Sequence, residues 1–357
     1  MEFPELRIGN LTSRIPIIQG GMGIGISLSG LASAVANEGG IGVIASAMIG
    51  INEPDVLSDP VAANTRALKK TIQRARALTP GILGVNIMYA MAHYPHSVKA
   101  AIEEGIDIIF SGAGLPMDLP GYLKDGARTK LVPIVSSAIA AKLICQRWLS
   151  KYNYLPDAFV VEGPESGGHL GFKTDQIDDP AFAIENLLVE VIDTIEPIAT
   201  ERGVTVPVIA AGGIYTGADI QKFLKLGAAG VQMGTRFVAT HECDASLDFK
   251  KMYLNAKKDD SIIIKSPIGM PGRAIRNKFL EGMNNKAPFE CLYNCIKKCK
   301  RTKGAYCLAA AMDSARKGNF NSGFAFASCN AYRIDKIVSV GELIESLKVE
   351  FDQAFIC

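Results

Sequence analysis

From about residue 15 to residue 240 the chain alternates between short apolar runs and longer stretches with helical spacing. Eight runs read as strands: Ile15–Gln19, Ile41–Ala45, Leu83–Ile87, Ile106–Ser111, Leu131–Ser136, Ala158–Glu162, Pro207–Ala211 and Gly230–Thr235. Most are continuously apolar rather than alternating. That pattern suits strands buried on both faces, as in a parallel sheet covered by helices. Between them, Ser29–Asn37 is Ala-rich and ends at Gly39, and Ala138–Tyr152 is amphipathic. Thr216–Leu226 starts at a cap-like Thr and stops at Gly227. Phe182–Arg202 is the longest helical stretch, with Pro197 marking a kink or an early end. Eight β-α units in this length predict a TIM (β/α)8 barrel rather than an open doubly wound sheet.

Beyond residue 240 the pattern changes. Ile262–Lys265 reads as one more strand, and Gly304–Lys317 and Ser339–Lys348 as helices. Residues 281–304 are rich in Lys, Asn and Cys. The expected organisation is a barrel over residues 1–240 and a Cys-rich extension over 241–357 packed on it, not a second independent domain.

Composition narrows the function. Hydrophobic residues make up 48% of the 357 positions and charged residues 21%, which fits a folded core and argues against disorder. Lys+Arg is 38 against 36 for Asp+Glu, a net charge of +2. That balance leaves no electrostatic footprint for nucleic acid or an anionic membrane surface. Residues 1–10 lack a signal-peptide pattern, and Gly39–Ile51 is too short to span a bilayer. A cytoplasmic protein is expected. In a reducing compartment its 8 Cys point to metal ligation more than to disulfides.

Active sites of parallel barrels lie at the C-terminal ends of the strands. Here those ends carry Gln19-Gly20-Gly21-Met22-Gly23, Asn86, Ser111-Gly112-Ala113-Gly114, Ser136-Ser137, Glu162-Gly163, Ala211-Gly212-Gly213 and Gln232-Met233-Gly234-Thr235. Glycine lets backbone N–H groups come close to a ligand. The turns after the seventh and eighth strands match a phosphate site, which an FMN phosphate and a sugar phosphate satisfy equally. A Gly-x-Gly-x-x-Gly fingerprint is absent at the first strand end, since Gly23-Ile24-Gly25 is followed by Leu28 in the third position.

Glu162-Gly163-Pro164-Glu165-Ser166-Gly167-Gly168-His169 follows the sixth strand. A histidine in a Gly-rich loop at a catalytic strand end is a candidate base or acid. His93, His96 and His241 lack that context. Cys291, Cys295, Cys299 and Cys307 form a four-thiol segment within 17 residues. Four thiols suit zinc or an iron–sulfur cluster, and the close spacing of three of them points to [4Fe–4S]. Arg273, after a Pro- and Gly-stiffened loop, is a candidate for binding a substrate carboxylate, carbonyl or phosphate, or else a surface ion pair. A flavin-free aldolase or isomerase barrel and a non-catalytic metal-binding protein remain as other readings.

Pro16-Ile17-Ile18-Gln19-Gly20-Gly21-Met22-Gly23, Gly84-Val85-Asn86, Gly112-Ala113-Gly114-Leu115-Pro116, Glu162 with Gly167-Gly168-His169, Ala211-Gly212-Gly213 and Gln232-Met233-Gly234-Thr235 resemble the nitronate monooxygenase superfamily. That superfamily was formerly called 2-nitropropane dioxygenase and includes the FMN-dependent enoyl-acyl carrier protein reductase II. Further motifs are the cysteine segment, Cys145-Gln146-Arg147-Trp148, Pro156-Asp157-Ala158-Phe159, Lys265-Ser266-Pro267, Phe324-Ala325-Phe326 and Asn330 through Ile337. They resemble a flavin plus [4Fe–4S] branch containing an acyl-acyl carrier protein dehydrogenase/isomerase.

The resemblance implies that Gln19, Gly20, Gly21, Met22, Asn86 and Glu162 line the FMN ring and ribityl chain. Gly212, Gly213, Gly234 and Thr235 would hold the phosphate, with Gly168 and Gln232 in the same cofactor-binding set. His169 would be the catalytic base or acid. The implied substrate is a small molecule or an acyl-carrier-protein thioester, oxidised at its α and β carbons. Oxidation of alkyl nitronates with oxygen and enoyl reduction are the alternatives. A homodimer is compatible with the barrel helices, though no apolar stripe in the sequence demands one.

Overall fold

All eight apolar runs become strands of one parallel sheet in a computed structural model that describes residues 3–285, 291–297, 299 and 305–354. A hairpin of β1 (Leu6–Ile8) and β2 (Leu11–Ser13) comes first. The chain then alternates: β3 (Ile17–Gln19), α1 (Ser29–Asn37), β4 (Gly42–Ala45), α2 (Pro60–Leu78), β5 (Leu83–Met88), α3 (Tyr94–Glu103), β6 (Ile108–Gly112). It continues with β7 (Lys130–Val135), α4 (Ala138–Tyr152), β8 (Phe159–Glu162), the two-residue β9 (Gly168–His169) and α5 (Ile184–Glu201). β10 (Val208–Ala211), α6 (Gly217–Lys225), β11 (Gly230–Met233) and the short α7 (Thr235–Val238) complete the barrel.

The strand order is β3-β11-β10-β8-β7-β6-β5-β4, which is chain order around a ring. β3 and β4 close it through a parallel bridge between Ile18 and Ile41, with the Ile41 N–H donating to Ile17 O at 3.0 Å and the Gln19 N–H to Ile41 O at 2.9 Å. The fold is a TIM barrel. Its interior holds Ile18, Val43, Phe110, Val132, Val160 and Ile209, and the hairpin adds Leu6 and Ile8 to that cluster. A second, larger layer joins the outer faces of the strands to the helices. Trp148 on α4 is wholly buried in it, its indole N–H donating to Pro116 O at 3.0 Å.

Pro197 does not end its helix early. α5 runs on past it to Glu201, with Pro197 inside the helix. Thr216 caps α6 as its sequence suggests: its hydroxyl accepts from the Asp219 N–H at 3.1 Å, and the Asp219 carboxylate accepts from the Thr216 N–H at 2.8 Å.

The extension contributes α8 (Leu247–Leu254), β12 (Ser261–Lys265), β13 (Pro271–Ile275), α9 (Lys278–Glu281), α10 (Leu308–Arg316) and α11 (Val340–Gln353). β12, β13 and β9 form a small antiparallel sheet, so the extension pairs directly with the loop that carries His169. α11 starts one residue after the expected position and runs past Lys348 to Gln353, packing on α6 and α1. Among the described residues no helix is long and apolar enough to cross a membrane.

Candidate active site

All eight barrel strands end at one cavity of about 680 Å³. Its lining contains Gly20, Gly21 and Met22 after β3, Asn86 on β5, Glu162 on β8, Gly212 and Gly213 after β10, and Gln232, Gly234 and Thr235 after β11. Gly168 and His169 line it from the loop after β8. Every residue expected to bind a cofactor is therefore gathered here, with one exception.

That exception is Gln19. It is completely buried behind the wall, where its carboxamide accepts from the Val43 N–H at 3.1 Å and donates to Val43 O at 3.3 Å. Its side chain is spent in joining β3 to β4, so it supports the cavity from behind. Arg273 also departs from expectation. It is 9% exposed on β13, opposite Gly168, and does not line the cavity. Its guanidinium donates to Pro164 O at 3.1 Å and reaches Ser261 Oγ at 3.5 Å. It anchors the 163–169 loop instead of presenting a charge to a substrate.

Two glycine positions explain how backbone comes so close to the cavity. A Cβ on Gly21 would run into the Cβ of Asn86. Gly212 and Gly213 take φ of +98° and +77°, the left-handed region that side chains disfavour. A Cβ on Gly212 would also stand 2.9 Å from Gly163 O. Glycine here lets two successive turns, after β8 and β10, pack without side chains between them.

The extension roofs these turns. Thr235 Oγ1 accepts from the Ser328 N–H at 2.9 Å, and the Asn330 carboxamide donates to Gly213 O at 2.6 Å. Phe326 and Ser328 join the lining, and the Phe326 ring meets the His169 ring edge-on with centroids 4.9 Å apart.

His169 Nε2 lies 2.8 Å from Ser266 Oγ, in the turn between β12 and β13. Burial pushes the imidazole pKa down to about 4, so the ring is neutral at physiological pH and able to take a proton. Glu162 shifts the other way. Burial raises its pKa to about 7, with the nearby Ser166 hydroxyl acting in the opposite direction. Ser166 Oγ itself is buried without a well-formed hydrogen bond. A neutral base and a carboxyl poised near neutrality thus face one cavity, a pairing typical of proton-transfer sites.

Ser266, Ser166 and Phe326 stand in motifs quoted above, but the sequence assigns them no place in the site. Ser266 and Phe326 lie about 100 and 160 residues beyond His169 and reach it only through the pairing of β9 with β13. Replacing Ser266 with Ala should free the His169 ring to reorient, read as a shifted or broadened imidazole NMR signal, with Ser266→Thr restoring the wild-type signal. An unaltered imidazole signal in the Ala variant would show that Ser266 does not hold the ring.

Of the four closely spaced cysteines, only Cys295 lines the cavity. Burial, and then the neighbouring Cys307, Cys291 and Cys299, push its thiol pKa up to about 12. The thiols are therefore within electrostatic reach of one another. Yet among the described residues no group of three or more His, Cys, Asp or Glu side chains stands close enough to hold a metal ion. The expected cluster ligation is not assembled in this arrangement. Cys295 is instead pinned to the loop after β5: the Ala92 N–H donates to Cys295 O at 2.9 Å and the Lys297 N–H to Ala90 O at 3.0 Å.

Comparison with known proteins agrees with this architecture. A (3aS,4S,5R,7aS)-5-hydroxy-7a-methyl-1-oxo-octahydro-1H-indene-4-carboxyl-CoA dehydrogenase of Mycobacterium tuberculosis is 31% identical over 76% of this chain. The match spans 65% of that relative's own length. A Staphylococcus aureus protein named "probable nitronate monooxygenase" is 29% identical over 77% of this chain and 79% of its own. The structure of FabK from Thermotoga maritima superposes with a TM-score of 0.73 at 28% identity, covering 96% of this chain and 94% of that one. The family model for nitronate monooxygenase matches residues 5–350. With the barrel shared and the family model matching nearly the whole length, the chain belongs to the nitronate monooxygenase family, a family of oxidoreductases.

Proposed function

We propose that this protein is an FMN-dependent oxidoreductase that oxidises an acyl thioester, with His169 as the base. The observation that carries this reading is the neutral His169 imidazole lining the same cavity as bare backbone at Gly20, Gly21, Gly212 and Gly213. Those residues fit a flavin nucleotide. The left-handed turn at Gly212-Gly213, beside Gly234 and Thr235, suits a phosphate. The side-chain-free stretch at Gly20-Gly21, beside Met22 and Asn86, leaves room for a flat ring. A carboxyl-CoA dehydrogenase among the relatives supports a thioester as substrate.

Bound FMN would supply the two-electron acceptor for a hydride leaving the β carbon. The chain's own part is proton handling and orientation. His169 accepts the proton from the α carbon, and Ser266 holds the ring in place for it. Glu162, uncharged below about pH 7, leaves no fixed anion in the cavity to repel an enolate-like charge. The product is a 2,3-enoyl thioester. Carrier protein and coenzyme A are both open as the thiol.

The cysteine segment is the proposed [4Fe–4S] site on its spacing alone. The thiols as placed do not fit it, and no step is routed through a cluster.

The test is an absorption spectrum of protein purified without oxygen, with released flavin, iron and sulfide assayed on the same sample. Flavin bands that bleach on adding a saturated acyl thioester are the expected result. A colourless protein would overturn the flavin reading, and about four irons per chain would support the cluster. A second reading, nitronate oxidation, is favoured by the staphylococcal relative's name. Oxygen uptake with alkyl nitronates, and no bleaching by thioesters, would put it first.

A further inference from the structure

Helices α4 and α5 lie side by side on the outside of the barrel, following the paired parallel strands β7 and β8. Their charges are opposite and unmixed. α4 carries Lys142, Arg147 and Lys151 and no acidic residue, and α5 carries Glu185, Glu190, Asp193, Glu196 and Glu201 and no basic one. Neighbours of opposite sign would be expected to pair with each other. Among the described residues no ion pair joins them: Arg147 and Lys151 turn to Asp118, and Glu185 to Lys222. Lys142, Glu190, Asp193 and Glu196 are exposed and enter no ion pair among the described residues. The same outer faces carry apolar side chains. Ile139 on α4 is 74% exposed, more than any other large apolar side chain among the described residues, with Leu143 at 43% and Val189 on α5 at 39%. Lys142 is three residues from Ile139 and so shares its face, while Val189 and Glu190 both lie one turn before Asp193.

We propose that this two-helix face is the contact between two copies of the chain, with α4 of each protomer set against α5 of the other. Single exposed apolar residues are ordinary on a protein surface. Here they stand on a face whose two halves carry opposite, unspent charge, which makes the face complementary to itself. A two-fold interface repeats every contact twice. Charge also selects the axis. A two-fold axis running along the helices puts the basic α4 opposite an acidic α5, whereas an axis across them puts α4 against α4 and like charge against like. Ile139, Leu143 and Val189 then form the apolar centre and the charged groups its rim. The apolar part is divided between two helices, so neither sequence shows it as a stripe. Ala140, in the first turn of α4, and Phe182, just before α5, both line the cavity. An axis along these helices therefore leaves both cavity mouths opening on the same side of the dimer. The face is independent of the reaction in the cavity.

The test is sedimentation equilibrium of the purified full chain over a concentration series. The expected result is a monomer–dimer equilibrium that weakens with added salt. Lys142→Glu and Glu190→Lys should each weaken the dimer at least about tenfold, because each change turns two attractive contacts repulsive. An equimolar mixture of the two variants should recover dimer of wild-type affinity, since every contact between the two different chains is again between opposite charges. Ile139→Asp should weaken the dimer at least about a hundredfold, as two copies of the side chain enter each interface. All three positions are exposed, and an unchanged urea midpoint checks that each variant monomer is intact. A monomer at every concentration, or a dimer that none of the variants weakens, would overturn the proposal. Weakening of both charge variants without recovery in their mixture would overturn the pairing of α4 with α5.

Discussion

Under the function proposed above, replacing His169 with Ala should lower kcat for flavin reduction by about 10²–10⁴-fold while flavin remains bound. The argument rests on what surrounds the ring. Its backbone is held in β9 against β13, its Nε2 meets Ser266 Oγ, and its face is bounded by Phe326. Deleting the imidazole disturbs none of the glycine turns, so cofactor content is the control. Because burial pushes its pKa down to about 4, the ring stays unprotonated through the range where a solvent-exposed histidine would titrate, near 6.5. The wild-type rate should therefore show no loss between pH 7 and pH 5 from protonation of this ring. Any inflection near pH 7 belongs to Glu162, and Glu162→Gln should abolish it. A His169→Ala enzyme keeping more than a tenth of kcat would end its role as base.

The same two groups act on stability with opposite signs. For His169 the folded pKa lies below the unfolded one. Its contribution is complete above about pH 6.5 and is lost as pH falls toward 4, where the unfolded chain takes a proton that the folded site resists. For Glu162 the folded pKa lies above the unfolded one. Its contribution is complete below about pH 4.5 and is lost as pH rises toward 7. Urea titrations of Glu162→Gln should accordingly show less decline than wild type between pH 5 and pH 7.

The barrel was legible because its signal is local. Each strand is an uninterrupted apolar run ended by Gly or a small polar residue, and those ends became the cavity lining. Boundaries moved by a residue or two, as at β3, which starts at Ile17 rather than Ile15. What could not be read was anything set by pairing distant segments. Gln19 sits in the middle of a glycine-rich strand end, and nothing local shows that its amide turns back to Val43. Arg273 follows a loop suited to presenting a charge, but the two-residue β9 captures its strand and turns its guanidinium onto Pro164 O. The hydroxyl beside His169 comes from residue 266 for the same reason. The cysteine spacing is equally local, and spacing alone does not determine where four side chains point.

Replacing Asp244 with Ala should destabilise the protein by about 3 kcal/mol or more, the second large effect expected here. α1 has no cap of its own: the residue before it is Leu28, whose side chain accepts no hydrogen bond. Asp244, from just beyond the barrel in the chain, supplies one. Its carboxylate accepts from the N–H groups of Leu28 at 2.7 Å, Gly30 at 3.1 Å and Leu31 at 3.1 Å. A carboxylate at a helix N-terminus also complements the helix dipole. A Cβ on Gly30 would stand 2.7 Å from Asp244 Oδ1, so the glycine makes room for this cap.

The last helix adds a carboxylate to α6, beside that helix's own Thr216 cap. Burial opposes ionisation of Glu350, but Arg236 and the Gly217 N–H hold its carboxyl below the usual range. Glu350 accepts from that N–H at 2.8 Å, at the start of α6, and pairs with Arg236 at 3.1 Å. Two barrel helices that follow cavity-lining turns are therefore capped by carboxylates from beyond residue 240, which ties barrel stability to the extension. Asp244→Ala should lower the urea midpoint and speed amide exchange at Leu28, Gly30 and Leu31, with Asp244→Asn losing less because one acceptor remains. A midpoint unchanged within about 0.5 kcal/mol, with those amides still protected, would show that solvent caps α1 equally well.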